Sequence, residues 1–205
     1  MLKLIIKLIV TINFILNFAN AEQIDDRYLY SVGDEIRYEI ETILPNKSHF
    51  ITTSKLISID KNEEIWQIKN SPTVDKRIFH RTSGNWIASF KDGNEIARAI
   101  PYNGGLKFPL NNGDKWEASW TFTAAGGLIT GKSNAEYKVK KETIKYKKKR
   151  YKTLKITMKK PKWNSEKDTN WKKDIKWIDI ETGKIIRIYF KNIGFKMEYT
   201  AQLLE

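Results

Sequence analysis

The chain has 205 residues, a formal charge of +13, seven tryptophans and no cysteine. Without cysteine there are no disulfide staples, no thiolate metal centres, no cysteine nucleophile and no lipid-modified cysteine, so stability must come from core burial. The basic balance admits an anionic partner, although abundant lysine, asparagine and isoleucine are also what an A- and T-rich coding sequence produces.

Residues 1–21 read as a secretory leader: Lys3 and Lys7, an apolar run over 8–18, then the small-residue cleavage pattern Ala19-Asn20-Ala21. The apolar run is shorter than the roughly 20 residues a spanning helix needs, and it contains Asn13 and Asn17. Cleavage after Ala21 leaves 184 of the 205 residues, and without Lys3 and Lys7 the +13 becomes +11. The expectation is export, to the periplasm or beyond, with no integral membrane segment after cleavage. Export also makes nucleic acid an unexpected partner; anionic envelope lipids or glycans suit the charge better.

From Glu22 onward the pattern is that of strands. Ile36, Tyr38 and Ile40 alternate with charged residues, and Pro45 breaks the run. Residues 50–59 and 64–68 pair around Asp60-Lys61-Asn62; residues 78–81, 86–90 and 95–100 come next as two hairpins turning at Ser83-Gly84-Asn85 and Asp92-Gly93-Asn94. Residues 101–105, with Pro101, Gly104 and Gly105, form the strongest loop signal and divide the mature chain into 22–105 and 106–205. In the second half Trp116, Ala118, Trp120 and Phe122 share a strand face, and 124–131 is a Gly-rich turn. Ala135, Tyr137 and Val139 alternate, as do Leu154, Ile156 and Met158, on either side of a lysine-rich turn at 147–150. A polar loop spans 161–170, a hairpin turns at Glu181-Thr182-Gly183, and 195–200 makes a last strand. No helical period is sustained outside the leader. The fold class is all-β: an antiparallel curved sheet or partly open barrel of two similar halves, with little helix.

The halves match at Gly33-Asp34 and Gly113-Asp114, each followed two places on by a large apolar residue, Ile36 or Trp116. A second correspondence pairs Trp86-Ile87, Gly93 and Arg98 with Trp177-Ile178, Gly183 and Arg187. The segment Phe108-Pro109-Leu110-x-x-Gly113-x-x-Trp116, with Thr143-Ile144, Tyr151 to Ile156, and Trp177 to Arg187, resembles a broad group of exported bacterial β-rich domains of unassigned function. That resemblance implies a curved antiparallel sheet similar to the periplasmic lipoprotein carriers, which hold acyl chains on a concave face. The group has Ala-Gly in the turn where this chain has Lys148-Lys149.

Residues 126–133 spell the phosphate-loop pattern G-x-x-x-x-G-K-[ST] at Gly126, Gly131, Lys132 and Ser133. Residues 134–141 alternate as a strand, where a phosphate loop needs a helix, so no nucleotide is expected. His49 and His80 lack metal-ligand spacing, no G-x-S-x-G elbow occurs, and Asp179 and Glu181 fall at a hairpin turn. Neither metal, cofactor nor catalysis is therefore expected. The reading is a non-catalytic envelope protein that binds a lipid-like or other amphiphilic ligand on an aromatic face of Trp116, Trp120, Phe122, Trp171 and Trp177. Lys138, Lys140, Lys147, Lys148, Lys149 and Arg150 would form its basic rim. The alternatives are core packing for the tryptophans, an assembly protein that meets an envelope partner through its sheet, or an outer-membrane barrel.

Overall fold

The computed structural model describes residues 23–163, 173–192 and 196–204; the leader and Trp171 lie outside them. A two-residue strand, β1 (Gln23–Ile24), precedes a meander of β2 (Glu35–Leu44), β3 (Ser48–Asp60), β4 (Glu63–Lys69), β5 (Lys76–His80), β6 (Trp86–Lys91) and β7 (Asn94–Ile100). A second short strand, β8 (Leu110–Asn111), precedes β9 (Lys115–Ala124), β10 (Ile129–Tyr146), β11 (Lys149–Trp163), β12 (Lys173–Asp179), β13 (Ile185–Asn192) and β14 (Met197–Leu204). Each six-strand series is antiparallel throughout, and pairing of β7 with β9 and of β14 with β2 closes them into one barrel. Among the described residues the only helical element is a single 3-10 turn at Ala125–Gly127, and no helix is long and apolar enough to cross a membrane.

The register shows which side of each strand faces in. Tyr137 sits opposite Trp116 and Met158, Ile156 opposite Val139 and Lys176, Ala201 opposite Ile188 and Ile40, and Leu56 opposite Trp66. This face contains Leu56, Ala99, Tyr137, Val139, Leu154, Ile156 and Ile178, each at most 2% exposed, so it is the interior. The opposite face carries Arg37, Glu39, Glu41, Lys138, Lys140, Lys155 and Arg187. A barrel in lipid shows the reverse, an apolar band outside and a polar lumen.

Strand alternation also separates the two ends. The segments 23–34 and 101–111 lie at one end and fill it: Ile24, Leu106 and Leu110 join the main core with Trp120, Tyr137 and Leu154. Arg27 of the first segment bonds the buried carboxylate of Glu64 at 2.8 Å, with Trp66 Nε1 donating to the same oxygen at 3.2 Å. Gly104 lets the second segment lie flat on β9, since a Cβ there would stand 1.9 Å from that of Ala118. The opposite end carries the turns after β2, β6 and β9. There the inward residues Ile40, Phe50, Ile188, Phe190 and Tyr199 are only half-buried.

The structure extends the sequence reading in three places. β10 begins at Ile129, so half of the Gly-rich stretch is strand, with Gly131, Lys132 and Ser133 paired to Phe122, Thr121 and Trp120. The phosphate-loop letters thus fall on a turn and a strand. β11 runs through Pro161 to Trp163, where the sequence predicts a loop; among the described residues its register with β12 covers 153–157. The third difference concerns the halves. Gly183 shares its position with Gly84: each has φ +69 and donates to the carbonyl four residues back, Asp179 or His80, at 2.9 or 2.7 Å. The sequence correspondence of Gly183 with Gly93 is one hairpin out of step, because Trp86 opens β6 whereas Trp177 lies in β12, the fourth strand of its series.

Candidate functional site

Inside the barrel the apolar lining is interrupted by a group of polar side chains. Asp174 and Lys176 both face inward from β12, and Lys176 Nζ donates to the two carboxylate oxygens at 2.8 and 2.7 Å. Phe190 lies opposite Asp174 and stacks on Tyr199 with ring centroids 5.4 Å apart. Burial raises the pKa of the Tyr199 hydroxyl; the charge of Arg77 pulls it down and that of Asp174 pushes it up. Tyr199 on β14 thus feels charges from β5 and β12, both at inward-facing positions. Tyr137 is also pushed well above its ordinary value by burial, with Asp174 adding to the shift. Both tyrosines stay protonated at neutral pH, so each hydroxyl keeps a proton to donate.

Two hydroxyls in this interior are unsatisfied. Tyr137 Oη and Ser133 Oγ, four residues apart on the inward face of β10, have no hydrogen-bond partner among the described residues, and each residue is 2% exposed. A buried polar group left unpaired costs about 1–3 kcal/mol, so such a group usually marks a place where water or a ligand supplies the partner. Arg77, half-buried between Trp66 and Ser89 in the register, has no ion pair among the described residues. One guanidinium, one ammonium and one carboxylate give a net charge of +1, flanked by hydroxyl donors. That set suits one anionic or strongly polar group. Ile40, Phe50, Met158, Ile188 and Phe190 on the same face suit an apolar chain.

The structure divides the residues singled out from sequence. Trp116, Trp120 and Phe122 do share the inward face of β9 and belong to the main core, where Trp116 stacks on Tyr137 at 5.2 Å and donates to the Gly104 carbonyl at 2.8 Å. Trp177 is not with them. Its register places it on the outward face opposite Lys155 and Arg187, which lie over its ring at 5.2 and 5.4 Å, and its Nε1 donates to Glu142 at 3.0 Å. Lys138 and Lys140 share that outward face, while Lys147, Lys148, Lys149 and Arg150 sit at the exposed tip of the β10–β11 hairpin. The expected basic rim therefore lies outside the barrel, and of its residues Lys138 shares a surface cleft with Trp116 of β9. Trp171 is outside the described residues.

Two shallow clefts open on the surface. One of about 510 Å³ lies between residues 23–29 and 180–183. The other, about 410 Å³, joins Trp116 and Tyr137 to Lys115, Glu117, Glu136, Lys138 and Lys159. Charged side chains line both, and Tyr137 connects the second to the interior group. His49 bonds Glu39 at 2.9 Å, His80 contacts Asn62 and Ser83, and no group of three metal-ligating side chains occurs among the described residues. Sequence reading missed Arg77, Ser133, Asp174, Lys176 and Tyr199. Their signal is charge or hydroxyl at alternate positions of apolar strands, but which face is inward depends on the register.

No family model matches the chain, and no curated protein matches it. Among solved structures it is similar to the hypothetical lipoprotein YmcC of Escherichia coli, with a TM-score of 0.49 and 12% identity over 86% of this chain and 89% of that one. It is also similar to a Bacteroides fragilis protein described as exported, with a YmcC-like fold: TM-score 0.48, 12% identity, 88% of this chain and 98% of that one. A Parabacteroides distasonis protein described as a lipoprotein gives a TM-score of 0.42 at 10% identity, over 88% and 98%.

Proposed function

We propose that the chain is an exported, non-catalytic binding protein of the bacterial envelope, whose barrel interior takes one amphiphile. Its polar head meets Arg77, Lys176, Tyr137 and Ser133, and its apolar part lies against Ile40, Phe50, Met158 and Phe190. The observation that carries this is the pair of unsatisfied hydroxyls on the inward face of β10, with Arg77, in no ion pair among the described residues, on the inward face of β5. The leader pattern of residues 1–21 supports export, and the charged outward face supports a barrel that stands in water. The matched turns at Gly33-Asp34 and Gly113-Asp114 support two copies of a six-strand unit. An assembly role through an exposed sheet edge has less to work with, since every strand of the closed ring has two neighbours.

The test is organic extraction of the purified protein followed by mass spectrometry, with displacement of a fluorescent fatty acid as the binding assay. Stoichiometric lipid is expected, together with a loss of at least roughly tenfold in affinity for Arg77→Ala. A protein that copurifies with no lipid and does not bind the probe would sink the proposal.

A further inference from the structure

At the end of the barrel away from segments 23–34 and 101–111, large apolar side chains project into solvent. Leu128 is 90% exposed, Ile129 39%, and Ile43, Leu44 and Met197 37% each. They form two groups. Leu44 pairs with Glu198 beside Met197 where β2 meets β14, and Leu128 and Ile129 make the turn from β9 into β10, with β11, β12 and β13 between the groups on the shorter way round the ring. Single exposed apolar residues need no explanation, but several on one rim do.

The same rim is basic. Lys47, Lys132, Lys173 and Lys196 lie at strand ends or turns there, and none of them is in an ion pair among the described residues. Glu198 is already neutralised by Lys191 at 2.8 Å, and Asp92 lies 3.8 Å from Lys91. Leu29 and Val32, the other strongly exposed apolar pair, sit at the opposite end on a segment with Asp25, Asp26 and Asp34, which would repel an anionic surface. Ile100, 52% exposed, and Lys61, Lys107, Lys115 and Lys148 also lie at that opposite end; what separates the two ends is the run of Asp25, Asp26 and Asp34 there.

We propose that this rim docks on the surface of an anionic phospholipid bilayer. Leu128, Ile129, Leu44 and Met197 enter the headgroup boundary while Lys47, Lys132, Lys173 and Lys196 face the lipid phosphates. Apolar insertion and attraction to anionic lipid each contribute modestly, so several residues of both kinds are needed together. The contact does not require a ligand in the barrel, although it would set the end with half-buried inward residues against the membrane.

Vesicle sedimentation of the purified protein tests this, using phosphatidylglycerol with phosphatidylethanolamine against phosphatidylcholine alone at low and high salt. The protein should pellet with the anionic vesicles and not the neutral ones, and less at high salt. The combined Leu128→Asp and Met197→Asp variant, and a Lys47→Glu, Lys132→Glu, Lys173→Glu, Lys196→Glu variant, should each lower the vesicle affinity at least roughly tenfold, while Lys148→Glu at the far hairpin tip leaves it unchanged. Circular dichroism checks that each variant is folded. Equal binding to neutral vesicles, no binding at all, or loss of binding only in the tip variant would each overturn the proposal. Lipid extraction keeps the two readings apart: rim variants should retain interior lipid, and Arg77→Ala should retain vesicle binding.

Discussion

At Gly104 the limit is space, not backbone conformation. A methyl there would meet Ala118 Cβ at 1.9 Å, and Ala118 is fixed in β9 by its pairing with Ala135 of β10, so it cannot withdraw cheaply. Gly104→Ala is expected to cost about 1–3 kcal/mol in urea unfolding, the usual range for overpacking. Adding Ala118→Gly should recover most of that loss, and a double variant as unstable as the single one would show that the segment does not lie on β9. Charge gives a second residue-scale expectation. Glu198 is held below its ordinary carboxyl pKa by hydrogen bonds from Lys191 and Tyr189. Burial would raise the pKa of Glu142, but bonds from Lys155 and Trp177 hold it below the ordinary value. A carboxylate depressed in the folded state contributes stability above its unfolded value of 4.5, and that stability disappears as pH falls through the folded value. His80, held below its ordinary value of 6.5 mainly by burial, takes up its proton more readily when unfolded, so the melting temperature should fall gently below about pH 6.5 and more steeply below about pH 5, with a shallower low-pH drop in Glu198→Gln.

At the scale of elements, the two Gly-Asp turns are built alike. In one, Ser31 N–H donates to Asp34 Oδ2 at 2.9 Å, Gly33 donates to the Leu56 carbonyl, and Leu56 donates back to Asp34; in the other, Asn111, Gly113, Asp114 and Val139 repeat the same bonds. Glycine is required at both, with φ of +101 and +97, where a side chain would be strained. Such turns are legible because the residue types and the backbone demand coincide. The strands are legible for the same reason: period-two alternation identifies β2 to β7 and β9 to β14 within a few residues at most ends. What alternation leaves open is which face of a strand lies inside. Trp177 and Ile178 are both buried yet face opposite ways, and only pairing with Lys155 and Leu154 decides between them. The candidate site was hidden for that reason. Asp174 and Lys176 read as solvated charges until the register turns them inward on the side of Tyr137.

Closure governs the behaviour of the molecule as a whole. The β14–β2 pairing joins residues 37–44 to 198–204, and β1 of the first series pairs with β8, which leads into the second. The sequence boundary at 105 falls inside the segment that packs on Ala118 and brings Leu106 and Leu110 into the core. Cutting there would expose the strand edges of β2, β7, β9 and β14 and open the apolar interior on both pieces. A sheet with free edges and an uncovered apolar face tends to aggregate before it reaches a stable fold. Residues 22–105 and 106–205 produced separately are therefore expected to lack cooperative unfolding. The intact protein should lose far-ultraviolet dichroism and tryptophan fluorescence together in one urea transition, because seven tryptophans report from both series. Refolding should be slow for a chain of this size, since the closing pair must form across nearly the whole sequence. Two separate transitions, or one fragment that melts cooperatively on its own, would show that the halves fold independently and that closure is a late docking of finished units.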